Sequence, residues 1–200
     1  SLAVSASKGH PAALNQLVAA NAFRGITPEV FVQIAQRSEH TIAYLAHAAS
    51  NRHPGALNQL AEANAFRGIT PEVFSGIAQR SEHTITNLAA AASQGHPDAL
   101  NQLAEANAFS VITPEVFADV AQKYHHTIIS LVHATADGHP GALNQLVEAN
   151  AFRGITPEVF AGIAQKSEHT IASLAAAAAA AANGHPGVLN QLTEANAFRG

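Results

Sequence analysis

The sequence predicts an all-α fold, a right-handed superhelical solenoid of tandem three-helix repeats of 43 residues. Three observations predict it. The dipeptide His-Pro recurs at His10, His53, His96, His139 and His185, with spacings of 43, 43, 43 and 46. Residues 26–68 and 69–111 differ at only ten of 43 positions, and a fixed period of this size means stacked units rather than one globular core. The apolar stock is mostly Ala and Leu with 6% aromatics, which suits close helix packing and builds no thick sheet core. The expected organisation is one array over 1–200: a partial repeat at 1–25, then full repeats at 26–68, 69–111, 112–154 and 155–200.

Each period divides into three helical pieces. The first opens Ile69-Thr70-Pro71-Glu72: Thr70 is a good N-cap, Pro71 fits the first helical position, and Glu72 suits the positive end of the dipole. Val73, Phe74, Ile77 and Ala78 then share one helix face. The second piece is expected to start at Ser81-Glu82-His83 with Ser81 as cap, and its stripe is Ile85, Leu88, Ala89 and Ala92. The third follows His96-Pro97 and buries Leu100, Leu103, Ala106 and Phe109. It is expected to run to a terminal glycine (Gly68, Gly154, Gly200), replaced once by Val111. Helices of ten to fifteen residues are marginal alone, so stacking must supply the stability. The last period carries three extra residues in its alanine tract, Leu174–Ala182, nearly one helical turn, which leaves the apolar face roughly in phase.

Composition narrows the function. Charged residues make up 12%, with a net charge of −4, so no basic tail or strongly cationic domain grips nucleic acid or an acidic membrane. There is no cysteine, which removes disulfides and thiolate metal sites and leaves the compartment unknown. The longest apolar run is far short of a membrane span. The chain opens in mid-pattern at Ser1 and closes in pattern at Gly200, as expected of a stretch from a longer array.

Variation between copies marks candidate contact positions. The second helices differ at Tyr44, Asn87, Ser130 and Ser173 and, one turn later, at His47, Ala90 and His133. The pairs before each His-Pro read Lys8-Gly9, Asn51-Arg52, Gln94-Gly95, Asp137-Gly138 and Asn183-Gly184. A regular scaffold with a few variable positions per unit is how modular binders read a linear target, although the pairs are also what helix C-cap and turn chemistry requires.

Gly68-Ile69-Thr70-Pro71-Glu72-Val73-Phe74, running on to Ile77-Ala78, resembles the opening helix of transcription-activator-like effector repeats. Ala91-Ala92-Ser93-Gln94-Gly95, followed by Ala99-Leu100, is similar to that family's base-reading loop. The resemblance implies sequence-specific binding of double-stranded DNA. Gly9, Arg52, Gly95, Gly138 and Gly184 would then approach bases in the major groove, Gly leaving room for a thymine methyl. Lys8, Asn51, Gln94, Asp137 and Asn183 would brace the loops. A second resemblance is to armadillo repeats, three-helix units of about 42 residues. Glu105-Ala106-Asn107-Ala108-Phe109 resembles the end of that family's first helix. Thr86-Asn87-Leu88-Ala89 is similar to its Asn-bearing helix, implying a groove that holds an extended peptide or protein through Tyr44, His47, Asn87, Ser130, His133 and Ser173.

Other chemistry is not expected. Repeated histidines read as structural, and only His125, His126 and His133 cluster locally, without a His-Glu-x-x-His helix. No metal, cofactor, small-molecule substrate or catalytic site is expected. Ser38, Glu39 and His40 are adjacent at a helix start and form no relay. Asn58, Gln59, Asn64 and their equivalents read as a ladder bonding between repeats. Arg37, Arg80, Lys123 and Lys166, and Arg24, Arg67, Arg153 and Arg199, sit at helix C-terminal ends, where positive charge is favoured; at constant pitch they could also track a phosphate backbone.

Overall fold

A computed structural model describes residues 2–167, 169, 172 and 187–198. All its regular structure among those residues is helical: α1 Leu2–Ser7, α2 Ala12–Ala19, α3 Pro28–Arg37, α4 His40–Ser50, α5 Gly55–Glu62, α6 Pro71–Arg80, α7 His83–Ser93, α8 Asp98–Glu105, α9 Pro114–Lys123, α10 His126–Ala136, α11 Gly141–Glu148, α12 Pro157–Lys166 and α13 Gly187–Glu194. Short 3₁₀ turns follow α2, α5, α8 and α11, at Ala22–Gly25, Ala65–Gly68, Ala108–Val111 and Ala151–Gly154. The alanine tract and its insertion lie outside the described residues. No described helix is long and apolar enough to cross a membrane.

The first helix of each unit starts as its sequence requires. Thr27, Thr70, Thr113 and Thr156 each accept the backbone N–H three residues on, at 3.3–3.4 Å, and Pro occupies the first turn. The second helix departs from expectation. Ser81 does not cap α7 with its side chain; its carbonyl accepts the Thr84 N–H at 3.0 Å, while its hydroxyl is buried without a partner. The third helix also ends early. α8 stops at Glu105 and Asn107 turns left-handed (φ +56°), as do Asn21, Asn64, Asn150 and Asn196. Asparagine tolerates this conformation and ends the helix, so Phe109 reaches the core from a 3₁₀ turn. Gly68 serves a different need from the expected cap: a Cβ there would lie 2.8 Å from the Pro28 side chain.

Equivalent helices pack on one another in succession. α1, α4, α7 and α10 form one row, and α2, α5, α8, α11 and α13 another, while α3 meets α6 and α9 meets α12. This is a helical repeat. The second-helix row is the most closely packed, because Ala46, Ala49, Ala89 and Ala92 are buried there and small side chains let helices approach. Each first helix packs on the turn that ends its own unit, 3₁₀ in the first three, through an edge-on phenylalanine pair: Phe31–Phe66, Phe74–Phe109, Phe117–Phe152 and Phe160–Phe198, with centroids 4.7–5.0 Å apart.

The polar ladder between units is glutamine, with asparagine in support. Gln59 Nε2 donates to Val18 O at 2.7 Å and Gln102 to Ala61 O at 2.6 Å; Gln145 and Gln191 donate likewise to Ala104 O and Val147 O. Asn21 adds a side-chain oxygen 3.3 Å from Gln59 Nε2. These carbonyls belong to the last turn of the preceding third helix, and each also accepts the N–H of the asparagine three residues on, at 2.8–3.0 Å. Exposed ion pairs run alongside: Arg24–Glu62, Arg67–Glu105 and Arg153–Glu194 at 2.7–2.9 Å. Ser110 stands where a fourth such arginine would be.

Candidate recognition surface

The loop pairs close the second helices in one repeated pattern. The N–H of Gly9, Arg52, Gly95 and Gly138 donates three residues back, at 3.0–3.1 Å. The N–H of the next residue, His10, His53, His96 or His139, donates five residues back, at 2.8–2.9 Å. This Schellman closure needs a left-handed residue, and φ is +87°, +74°, +93° and +91° in order. Glycine meets the backbone requirement at three sites, and Arg52 adopts the conformation despite its Cβ. Lys8, Asn51, Gln94 and Asp137, like their partners, are exposed, and a Cβ built at Gly9, Gly95 or Gly138 meets nothing within 4 Å. Each pair sits at the negative end of a helix dipole. Asn183 and Gly184 lie outside the described residues.

The second-helix candidates come together differently. Tyr44 and His47 on α4, and Asn87 on α7, line a cavity of about 180 Å³ with His40, Ala43 and His83. Asn87 Nδ2 donates to the Ala43 carbonyl at 3.1 Å, tying the two units at the cavity floor. The His40 ring stands edge-on to Tyr44 at 5.8 Å. Asn51 Nδ2 contacts both His47 O and His47 Nε2 at 3.0 Å. Ser130 and His133 occupy the equivalent stripe on α10 and do not line this cavity; Ser173 is outside the described residues. Sequence reasoning missed His40 and His83 as members of the site. A usable signal was present: each stands four residues before a variable position, one turn away on the same face.

Between α7 and α10 the neighbouring joint is closed by side chains. Thr86 and Thr127 hydroxyls meet at 2.6 Å. Tyr124 O–H donates to Glu82 Oε1 at 3.0 Å and lies 2.9 Å from His83 Nε2, with its ring 4.3 Å from that of His83. Lys123 Nζ binds Glu82 at 2.6 Å and Asp119 at 3.0 Å. The hydrogen bonds from Lys123 and Tyr124 hold the Glu82 carboxyl below the usual range. Burial pushes the Tyr124 hydroxyl up to about 12, reinforced by Glu82. Burial also holds His83 below the ordinary imidazole range; Glu82 opposes this, and His40 and His47 add to it.

The repeated cations are largely engaged. Arg24, Arg67 and Arg153 pair with glutamates of the following unit, and Lys166 Nζ donates to Gln122 O at 3.0 Å. The His125 and His126 rings lie 3.9 Å apart, and among the described residues no three His, Asp or Glu side chains are placed to hold a metal ion. No protein-family model matches the chain, and no curated protein or solved structure is significantly similar to it.

Proposed function

We propose that this chain is a non-enzymatic recognition scaffold, a right-handed superhelical solenoid of 43-residue units whose second-helix row binds an extended polypeptide. The carrying observation is the cavity between α4 and α7, where variable residues of two successive units, Tyr44 and His47 with Asn87, line one concavity. A ligand crossing the units would meet a different set of side chains at each step, which is what modular reading needs. Binding to an array of random extended peptides tests it. Tyr44→Ala should weaken the selected peptides about tenfold or more, the range expected for a buried aromatic anchor, and Gln94→Ala should leave them unchanged. Equal affinities in both variants would overturn the reading.

A second reading, sequence-specific binding of double-stranded DNA through the loop pairs, is favoured by one observation: the pairs form an exposed series with open space beyond each glycine. It requires affinity that falls steeply with salt and a base preference that Arg52→Gly alters at a single position.

A further inference from the structure

We infer that the cavity between α4 and α7 seats the carboxylate of an aspartate or glutamate side chain, carried by the polypeptide of the reading proposed above. Its size selects a single side chain. About 180 Å³ is below the roughly 300–1,000 Å³ of cofactor and drug-sized sites, and holds a carboxylate with one or two methylenes. Its walls select the charge. Three imidazoles, a phenol and an amide line it with Ala43, and no carboxylate does, although acids outnumber bases in the chain, 14 to 10.

The hydrogen bonds set which ring atoms carry protons. Asn51 Nδ2 donates to His47 Nε2, so the neutral His47 ring keeps its proton on Nδ1. Tyr124 gives its one hydroxyl proton to Glu82, the stronger acceptor, and so accepts from His83 Nε2; the next proton on His83 goes to Nδ1. Glu82 competes as an anion beside His83, and Lys123 and Tyr124 already hold it; Glu39 precedes His40 at the start of α4. Among the elements packed on α4 and α7, α1 has no titratable group, α3 carries Glu29 and Arg37, α6 Glu72 and Arg80, α9 Glu115, Asp119 and Lys123, and α10 His126 and His133, while α8 opens on Asp98. Glu62 of α5 and Glu105 of α8 pair with Arg24 and Arg67. None of these acids lines the cavity, so no carboxylate stands among the three rings within it.

Affinity for a carboxylate therefore rises as pH falls through the imidazole range. His83 resists protonation in the empty cavity, through burial and repulsion from His40 and His47, and a seated anion removes part of that resistance. Affinity falls again near the carboxylate range, about pH 4, where the guest loses its charge.

Poly-L-glutamate, with poly-L-lysine as control, tests this on the 200-residue chain by NMR of the histidine rings at about pH 8 and about pH 6. Poly-L-glutamate should bind at least tenfold tighter at the lower pH, shift His40, His47 and His83, and leave His53 and His96 in place. His47→Gln should remove most of the gain while the fold, read by circular dichroism, stays intact. Absence of the pH gain, or equal shifts at His53 and His96, would overturn the inference. The peptide array judges the underlying reading separately. Neutral peptides that bind through Tyr44 would sustain that reading and overturn the carboxylate site. Failure of poly-L-glutamate and of every array peptide would overturn both.

Discussion

The joint between α4 and α7 and the joint between α7 and α10 are built from nearly the same sequence, yet one holds a cavity and the other is tied shut. In the first, only Asn87 crosses to the backbone of the previous unit, and the rings of His40, Tyr44, His47 and His83 surround open space. In the second, Tyr124 stands where Ser81 and Ser167 occur in other copies, Thr86 meets Thr127, and Lys123 meets Glu82. A few substitutions on one face thus decide whether a joint offers a site. The repeated core beneath both is indifferent to the choice: Phe66 and Phe109 are each fully buried, and Gln102 and Gln145 make the same bond.

The largest expected effect tests that indifference. Phe66→Ala and Phe109→Ala each remove one ring of an edge-on pair from a fully buried place. Each should cost about 3–5 kcal/mol in chemical denaturation, and the two should agree within about 1 kcal/mol given the spread of such values. A much larger gap would show that the difference between the joints reaches the core, and the comparison would fail.

Much of this was legible in the residues. Thr-Pro-Glu placed the start of every first helix, and the 3.6-residue stripes placed Phe74, Ile77, Ile85, Leu88, Leu100 and Leu103 in the core, where they are all buried. The end of α8 was hidden because Ala108 and Phe109 continue the apolar pattern past Asn107, whose left-handed turn is local chemistry that periodicity ignores. Ser81 read as a cap from its position, but packing between units buries its hydroxyl. The cavity was hidden for a similar reason. His40 and His83 recur in every copy and so look structural, and whether they face open space depends on side chains some forty residues away. Tyr124 approaches His83 across 41 positions, and no pattern within a single period reports that contact.

Tyr124→Ser, an intermediate effect, should convert the second joint toward the first. It restores the residue of the other copies, removes the hydroxyl bonds to Glu82 and His83, and lifts the ring from His83. With Tyr124 only half-buried, a loss of about 1 kcal/mol is expected. The sharper readout is His83 itself. Burial is the main cause of its lowered proton affinity, so its NMR titration should move up toward the ordinary imidazole range. In the intact protein, folding disfavours the His83 proton, so the unfolded chain binds more protons below about pH 6.5 and stability declines as pH falls through that range. The variant should show a shallower decline. An unchanged His83 titration would mean that Tyr124 does not close the joint.

The smallest effect has the opposite sign and concerns the ends of α4 and α7. Both helices close with the same pair of backbone bonds, but α7 ends on Gly95 at φ +93° and α4 on Arg52 at φ +74°. An L-residue in that region costs about 1–2 kcal/mol through its Cβ, whereas glycine costs roughly 0.5–1 kcal/mol in lost chain entropy on folding. The first exceeds the second. Arg52→Gly should therefore stabilise the protein by about 0.5–1 kcal/mol, seen as a higher denaturation midpoint at unchanged slope. Gly95→Arg should lose a similar amount. The same Arg52→Gly protein also separates the two ligand readings, since a peptide along the second-helix row is indifferent to this loop and a base-reading loop is not. A destabilised Arg52→Gly protein would show that the arginine side chain contributes more than its backbone strain costs, and would make Arg52 a structural contact of the first joint.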